Sequence, residues 1–338
     1  MLRCTILASG SKGNCTVIST ERTRVLVDAG LSCREIVKRM RFAGENPDKI
    51  DGIIITHEHQ DHIQGVSVLA RRLKVPVYFT PATHQAWMRW MTPRRTMSFS
   101  SWLEARKQHA AELTLAAAAV EEISAVGSIQ TVTSSCESGE EDALESAEYS
   151  VAVEDDPQPV LLPEATGSDP SALPAVEHFD AGVPFVIGDI TITPFTIPHD
   201  AADPVGFVVE AEGMRIAVAT DLGYMPPNVR MHLRGADLLI LESNYDVEML
   251  RDGPYPWAIK QRVLSRVGHL SNDAAGEFLT NEYDGYARWV ILAHISESNN
   301  LPELARLSAE RALQTRMSLL NSQVLLAPQH SPLESIFL

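Results

Sequence analysis

Ile53-Ile54-Ile55-Thr56-His57-Glu58-His59-Gln60-Asp61-His62 carries an apolar run straight into four side chains able to ligate a metal: His57, His59, Asp61 and His62. Imidazoles and carboxylates crowded so closely repel one another or stay poorly solvated unless a positive charge joins them, and two divalent cations would supply it. The bland alternative is a solvated loop, or a helix start that uses Asp61 as a cap. Distant residues weigh against it. His199 follows the extended segment Phe195-Thr196-Ile197-Pro198, Asp221 follows Ala217-Val218-Ala219-Thr220, and His294 follows Val290-Ile291-Leu292-Ala293. Strand ends that leave one sheet edge can converge on the cluster.

Outward from this stretch the chain alternates short extended runs with helical patterns, an α/β signature. Strands are predicted at 3–8, 16–18, 24–28, 52–56, 75–79, 190–195, 206–210, 214–219, 236–241, 289–293 and 323–327, and helices at 32–42, 65–73, 255–267, 271–281 and 302–320. Ala211-Glu212-Gly213 links two of the strands as a hairpin, so the sheet has an antiparallel component. Asn300 is a candidate cap for the last helix, with Pro302 in its first turn. No internal repeat is found.

The chain has 338 residues, is 45% apolar and 21% charged, and carries a net charge of -16, the profile of a globular protein. No apolar run is long enough to span a bilayer, so no membrane association is expected. Residues 1–8 hold too short an apolar run for a secretion signal and read as a first strand. Cys4, Cys15, Cys33 and Cys136 show neither disulfide-framework density nor paired metal-ligand spacing, which fits a reducing cytoplasm. So acidic a chain would ordinarily disfavour a polyanionic substrate. However, 16 of the 44 acidic residues lie between Glu104 and Glu177 against only Arg106 and Lys107, and the remainder is nearly neutral. Residues 104–177 therefore read as an acidic low-complexity insertion, largely disordered apart from a short helix near 112–123, and a possible element for binding a protein partner. It divides a catalytic domain into halves at 1–103 and 178–338.

On these motifs the chain resembles the metallo-β-lactamase-fold superfamily, whose HxHxDH, His, Asp, His pattern is met at every position. The resemblance implies a four-layer αββα sandwich with metals at one edge of the two sheets. It implies that His57, His59 and His199 hold one metal and Asp61, His62 and His294 the second, with Asp221 between them and Asp28 supporting the cluster from behind. Asp61 and Asp221, with no cysteine at the bridging position, favour a dinuclear site holding zinc first and manganese second. Two cations about 3.5 to 4 Å apart would share and deprotonate a water, with Asp61 helping to orient it.

The substrate has to be read from other residues. Glu242 and His269 resemble the glutamate and histidine of ribonuclease Z, where the histidine donates a proton to the leaving oxygen. A carboxylate beside an imidazole favours that protonated form. The alternative makes His269 a surface or capping histidine, with Ser271 or Asn272 capping the helix that follows. Pro198-His199-Asp200-Ala201-Ala202-Asp203-Pro204-Val205-Gly206, Thr220-Asp221-Leu222-Gly223-Tyr224 and Glu242-Ser243-Asn244 narrow the resemblance to the YycJ-type (WalJ) group, over residues 1 to about 103 and about 178 to 330. That likeness implies 5′ to 3′ exonuclease action, on DNA in preference to RNA. The departures are the acidic insertion and Gln60, where a serine is usual.

Ser9-Gly10-Ser11-Lys12-Gly13-Asn14 resembles the group's N-terminal loop and is a candidate phosphate-holding turn, through Ser11, Lys12 and Asn14, or else simply a glycine-rich turn. Ser271 and Asn272 are further substrate-binding candidates. Trp87, Arg89, Trp90, Arg94, Arg95 and Trp102 either line a nucleic-acid track or, the preferred reading, belong to a helix that packs Trp87 and Trp90 or Met91 inward. The competing functions are hydrolysis of thioester, lactone or β-lactam substrates on the same cluster, and a non-catalytic, metal-stabilised interaction module.

Overall fold

Runs such as Leu238-Leu239-Ile240-Leu241 and Val290-Ile291-Leu292-Ala293 offer no polar face, which suits strands covered on both sides. A computed structural model describes residues 1–91, 171–314 and 322–338, all within one compact unit. Its strands are β1 (Arg3–Ala8), β2 (Cys15–Ser19), β3 (Arg24–Val27), β4 (Gly52–Ile54), β5 (Pro76–Phe79), β6 (Ala175–His178), β7 (Phe185–Ile187), β8 (Ile190–Thr196), β9 (Val205–Ala211), β10 (Met214–Ala219), β11 (Leu238–Glu242), β12 (Trp289–Ala293), β13 (Gln323–Leu326) and β14 (Ile336–Phe337).

They form two sheets, ordered β14-β1-β2-β3-β4-β5-β6 and β13-β12-β11-β10-β9-β8-β7. Each sheet is antiparallel in one part and parallel in the other. In the first, pairing is antiparallel from β14 to β3 and parallel from β3 to β6. In the second it is antiparallel from β7 to β10 and parallel from β10 to β13.

Side-chain alternation divides each central strand between two cores. Ile54, Leu238, Ile240, Ile291 and Ala293 pack between the sheets with Ile6, Val25, Val27, Phe207 and Val218. Leu239, Leu241, Val290 and Leu292 face the helices Pro227–Leu233, Asn272–Asn281 and Pro302–Gln314. Ile53 and Ile55 face Cys33–Phe42, Val66–Leu73 and Pro81–Met91. The αββα order is the one expected from the sequence, and no helix among the described residues is long and apolar enough to cross a membrane.

Three strands lie outside the sequence expectation. β6 straddles the end of the stretch assigned to the insertion and pairs in parallel with β5. Its Ala175-Val176-Glu177-His178 is largely exposed, so apolar patterning had little to report. β7 and β14 are edge strands of three and two residues, too short for periodicity to register. The helix Pro81–Met91 buries Trp87, packs Met91 beside the same core and leaves Trp90 54% exposed. Arg94, Arg95, Trp102 and the segment 112–123 lie outside the described residues. Asn300 is not the expected cap: its Nδ2 donates to the carbonyls of Ser243 and Asn244 and to Asn272 Oδ1, so it ties loops together ahead of the helix.

Candidate metal centre

Parallel pairing brings the ends of several strands to one level. β11 and β12 are in register at Glu242 and Ala293, β10 and β11 at Ala219 and Leu241, and β3 and β4 at Val27 and Ile54. The residues that follow, Asp28, Asp221 and His294, each turn the chain through the left-handed region, with φ of 59°, 60° and 54°. Such backbone costs about 1 kcal/mol or more at a non-glycine residue, though Asp and His tolerate it better than most. Here it turns all three side chains toward the same edge. The loop 57–62 reaches that edge across Gly30, where a Cβ would meet the Asp61 carbonyl at 1.6 Å.

The seven residues singled out as ligands converge. Ligand atoms of His57, His59 and His199 lie within 4.8 Å of one another, as do those of Asp61, His62 and His294, and Asp221 groups with His57 and His62. His199 Nε2 faces His59 Nδ1 at 3.2 Å. His62 Nε2 is 3.5 Å from Asp61 Oδ2 and 3.4 Å from Asp221 Oδ2, and His294 Nε2 is 3.4 Å from Asp61 Oδ2.

Four of the five imidazoles are oriented through their other nitrogen. His62 Nδ1 donates to Asp28 Oδ2 at 2.8 Å, His199 Nδ1 to the Gly268 carbonyl at 3.1 Å and His294 Nδ1 to Glu242 Oε1 at 2.8 Å, while His57 Nδ1 lies 3.0 Å from Thr56 Oγ1. Outer partners of this kind fix which nitrogen is left to ligate a metal. Asp28 is itself held by the backbone amide and hydroxyl of Thr56.

A divalent cation fits this donor set. His57 Nε2 and Asp221 Oδ2 are buried without a hydrogen-bond partner. Among the described residues no Lys or Arg bonds Asp28, Asp61, Asp221 or Glu242, so imidazoles alone balance four carboxylates. Burial pushes the His57 imidazole well below its ordinary pKa, and the facing His62 adds to this. Burial also opposes charge on His62 and His294, yet Asp221 and its neighbouring carboxylates hold both well above the usual range. Against the same burial, His294 and His62 hold Asp221 well below it. A cation bound here would take over the stabilisation of these carboxylates, with the imidazoles neutral as its ligands.

Glu242 is fully buried, and burial by itself would raise its carboxyl pKa, but His269 and His294 hold it below. Its Oε1 accepts from His269 Nδ1 and His294 Nδ1, both at 2.8 Å, and its Oε2 from the amides of Leu222 and Leu270. His269 is thereby fixed with its ring 5.2 Å from that of His199 and 5.1 Å from that of His294, bridging the two candidate ligand groups. Its side chain is 19% exposed, and no hydrogen bond among the described residues takes Nε2.

The substrate-binding candidates fare differently. Asn14 enters the cluster as a support, its Nδ2 3.2 Å from Asp61 Oδ2 and 3.0 Å from His62 Nε2. Lys12 is exposed at the rim and ion-paired with Glu297, and Ser11 is exposed beside it. The amides of Ser9, Gly10, Lys12, Gly13 and Asn14 all donate within the protein, and the turn buttresses the loop that carries Asp61. Ser271 and Asn272 are engaged within the protein. Ser271 Oγ caps the helix Asn272–Asn281, and both ends of the Asn272 amide are engaged by Ser243 and Asn300. Sequence reasoning missed Thr56, Asn244, whose Nδ2 donates to the His294 carbonyl at 2.7 Å, and Ser9, whose hydroxyl accepts the His294 amide at 2.8 Å. Their signal was adjacency to strand ends and ligands.

Residues 8–258 match the metallo-beta-lactamase superfamily. The chain is 30% identical over 315 residues, 93% of its length and 90% of the relative's, to "Exodeoxyribonuclease YycJ" of Bacillus anthracis. It is 29% identical over 90% of its length and 85% of the relative's to "Exodeoxyribonuclease WalJ" of Streptococcus pneumoniae. The metallo-beta-lactamase fold protein YhfI from Bacillus subtilis superposes with a TM-score of 0.58 at 14% identity, covering 99% of this chain and all of that one.

Proposed function

The chain belongs to the metallo-β-lactamase superfamily and within it to the YycJ/WalJ-like group, and on that premise we propose that it is a metal-dependent nuclease, a dinuclear phosphodiesterase that degrades DNA from the 5′ end. The observation that carries the reading is the Glu242 carboxylate, which holds His269 at 2.8 Å beside a cluster of imidazoles and carboxylates suited to two cations. A hydrolase of acyl substrates does not require such a pair, whereas a phosphodiesterase must protonate an alkoxide leaving group.

In this reading His57, His59 and His199 hold one cation and Asp61, His62 and His294 the other, with Asp221 between them. Zinc is the first choice and manganese the second. Two such ions supply a nucleophile at neutral pH and take up charge on a phosphoryl oxygen. The protein's own groups do the rest. Asp61, anchored by the Asn14 amide, orients the attacking water, and Asp28 holds His62 from behind. His269 delivers the proton from Nε2 while Glu242 stabilises the imidazolium. The acidic stretch within 104–177 serves a protein partner rather than the substrate. The unpaired, buried cysteines Cys4, Cys15 and Cys33 suit action in the cytoplasm.

The test is incubation of the purified protein with DNA and RNA strands labelled at either end, with zinc or manganese supplied. Release of mononucleotides first from the 5′ end of DNA is expected. No cleavage by fully metallated protein would overturn the reading, and initial release from the 3′ end would overturn the polarity.

A further inference from the structure

The turn ahead of His269 is fastened to the wall of the cluster. Gly268 and Val267 give their carbonyls to His199 Nδ1 and to the Asp200 amide, and the His269 amide donates to Val263. Gly223, two residues past Asp221, packs so closely that a Cβ there would meet the Arg266 backbone at 2.4 Å. Arg266 projects from this turn, and Arg262 from the end of the helix Trp257–Leu264 just before it. Arg266 lies over the ring of Tyr224 at 4.2 Å, and Arg262 donates from Nε to Asp200 Oδ2.

Arg262 is tied to the cluster at one remove. Asp200 Oδ1 is 3.4 Å from His199 Nε2, the atom that faces His59, so one carboxylate separates the guanidinium from a candidate ligand. The hydrogen bond to Asp200 holds Arg262 above its usual pKa, and the charge of Asp61 reaches it as well. The side chain is nonetheless 54% exposed, and no hydrogen bond among the described residues takes its two terminal nitrogens. Lys12, by contrast, is ion-paired with Glu297.

A guanidinium pinned through Nε with both terminal nitrogens open to solvent presents a planar fork, the geometry that grips two oxygens of a phosphate. We propose that Arg262 is a phosphate-positioning residue, holding a substrate phosphate on the His269 side of the scissile bond while Asp200 fixes the direction of the fork. The proposal rests on the nuclease reading, since it needs a substrate with a phosphate beyond the one attacked. His269 protonates the departing nucleotide, so the phosphate nearest Arg262 belongs to that nucleotide.

The experiment compares wild type, Arg262→Ala and Arg262→Lys on a DNA strand and on bis(4-nitrophenyl) phosphate, which has no flanking phosphate. Metal content and melting temperature are measured for each, and anisotropy of a labelled strand reports binding to the metal-free proteins at several salt concentrations. For Arg262→Ala we expect KM for DNA to rise about tenfold or more, and kcat/KM for DNA to fall about tenfold relative to the small diester. The slope of log affinity against log salt should drop by about one. Arg262→Lys should keep the salt slope and recover only part of KM, because an ammonium cannot make the fork. Equal losses on DNA and on the small diester, or an unchanged salt slope in Arg262→Ala, would overturn the assignment while the nuclease reading stands. Metallated wild-type protein that cleaves neither substrate would overturn both.

Discussion

His269 Nδ1 donates to Glu242 Oε1 at 2.8 Å, and the same carboxylate oxygen accepts from His294 Nδ1 at the same distance. One buried group therefore orients both the proposed proton donor and a proposed metal ligand. Replacing the donor and replacing its carboxylate should have different signatures. His269→Ala should lower kcat by about 10² to 10⁴ with both metals retained. Glu242→Gln should lower kcat and also weaken metal binding by about 10 to 100-fold. Metal titration of the two variants beside their kinetics separates these outcomes, and equal metal affinity in both would contradict the shared role.

Asp28 is not itself among the candidate ligand groups but fixes His62 through Nδ1 and is locked by Thr56. Asp28→Asn keeps a residue type that accepts φ near 59° and loses the charge. Metal affinity should fall by about 10 to 100-fold. Competition with a chromophoric chelator measures this, and an unchanged dissociation constant would argue that His62 does not ligate.

Gly30 has no room for a methyl group against the Asp61 carbonyl, a backbone atom that cannot step aside without moving the loop 57–62. Gly30→Ala should destabilise by about 1 to 3 kcal/mol and lower the melting temperature by several degrees. Metal stoichiometry should fall with it. Calorimetry of the metallated and metal-free variant checks the coupling, which would be refuted by a loss of stability at full metal content.

Cys4 lies in the inter-sheet core, where burial and then the charge of Glu45 push its thiol up to about 12, and Cys15 is raised further still. At pH 8 on the order of 10⁻⁴ of Cys4 would be thiolate, so neither thiol should react with iodoacetamide until the protein unfolds. The folded pKa exceeds the unfolded one. The corresponding stability is therefore intact below the unfolded value, about 8.5, and is lost as pH rises toward 12. Peptide mapping after alkylation and urea midpoints from pH 8 to 11 test this, and midpoints that rise with pH would contradict it.

Chelation should abolish hydrolysis and also reduce stability, because imidazoles and carboxylates gathered around cations are left facing one another. At metal concentrations about 100 times the dissociation constant, the bound state gains about 2.7 kcal/mol per site. A melting temperature indifferent to chelator would show that the metals do not contribute to the folded state.

The ligand candidates were legible in the chain itself because metal chemistry admits few residue types and strand periodicity marks where each one leaves the sheet. His57, Asp221 and His294 follow strands whose parallel register carries them to one edge, and His199 follows the end of the antiparallel strand β8. The alternation of strands and helices and the antiparallel hairpin were legible in the patterning, whereas the αββα layering was implied by the resemblance of the motifs to a known family. What the chain alone left open were interactions whose partners lie far apart in sequence. Asn14 at Asp61, Asn244 at His294 and Arg262 at Asp200 involve ordinary polar residues with no period or spacing to announce them. Ser271 and Asn272 looked equally available until their side chains were seen to be spent on a helix cap and a buried amide network. Ligand identity is thus a local property of residue type and strand position, whereas orientation and the commitment of each hydrogen bond depend on which surfaces the fold brings together.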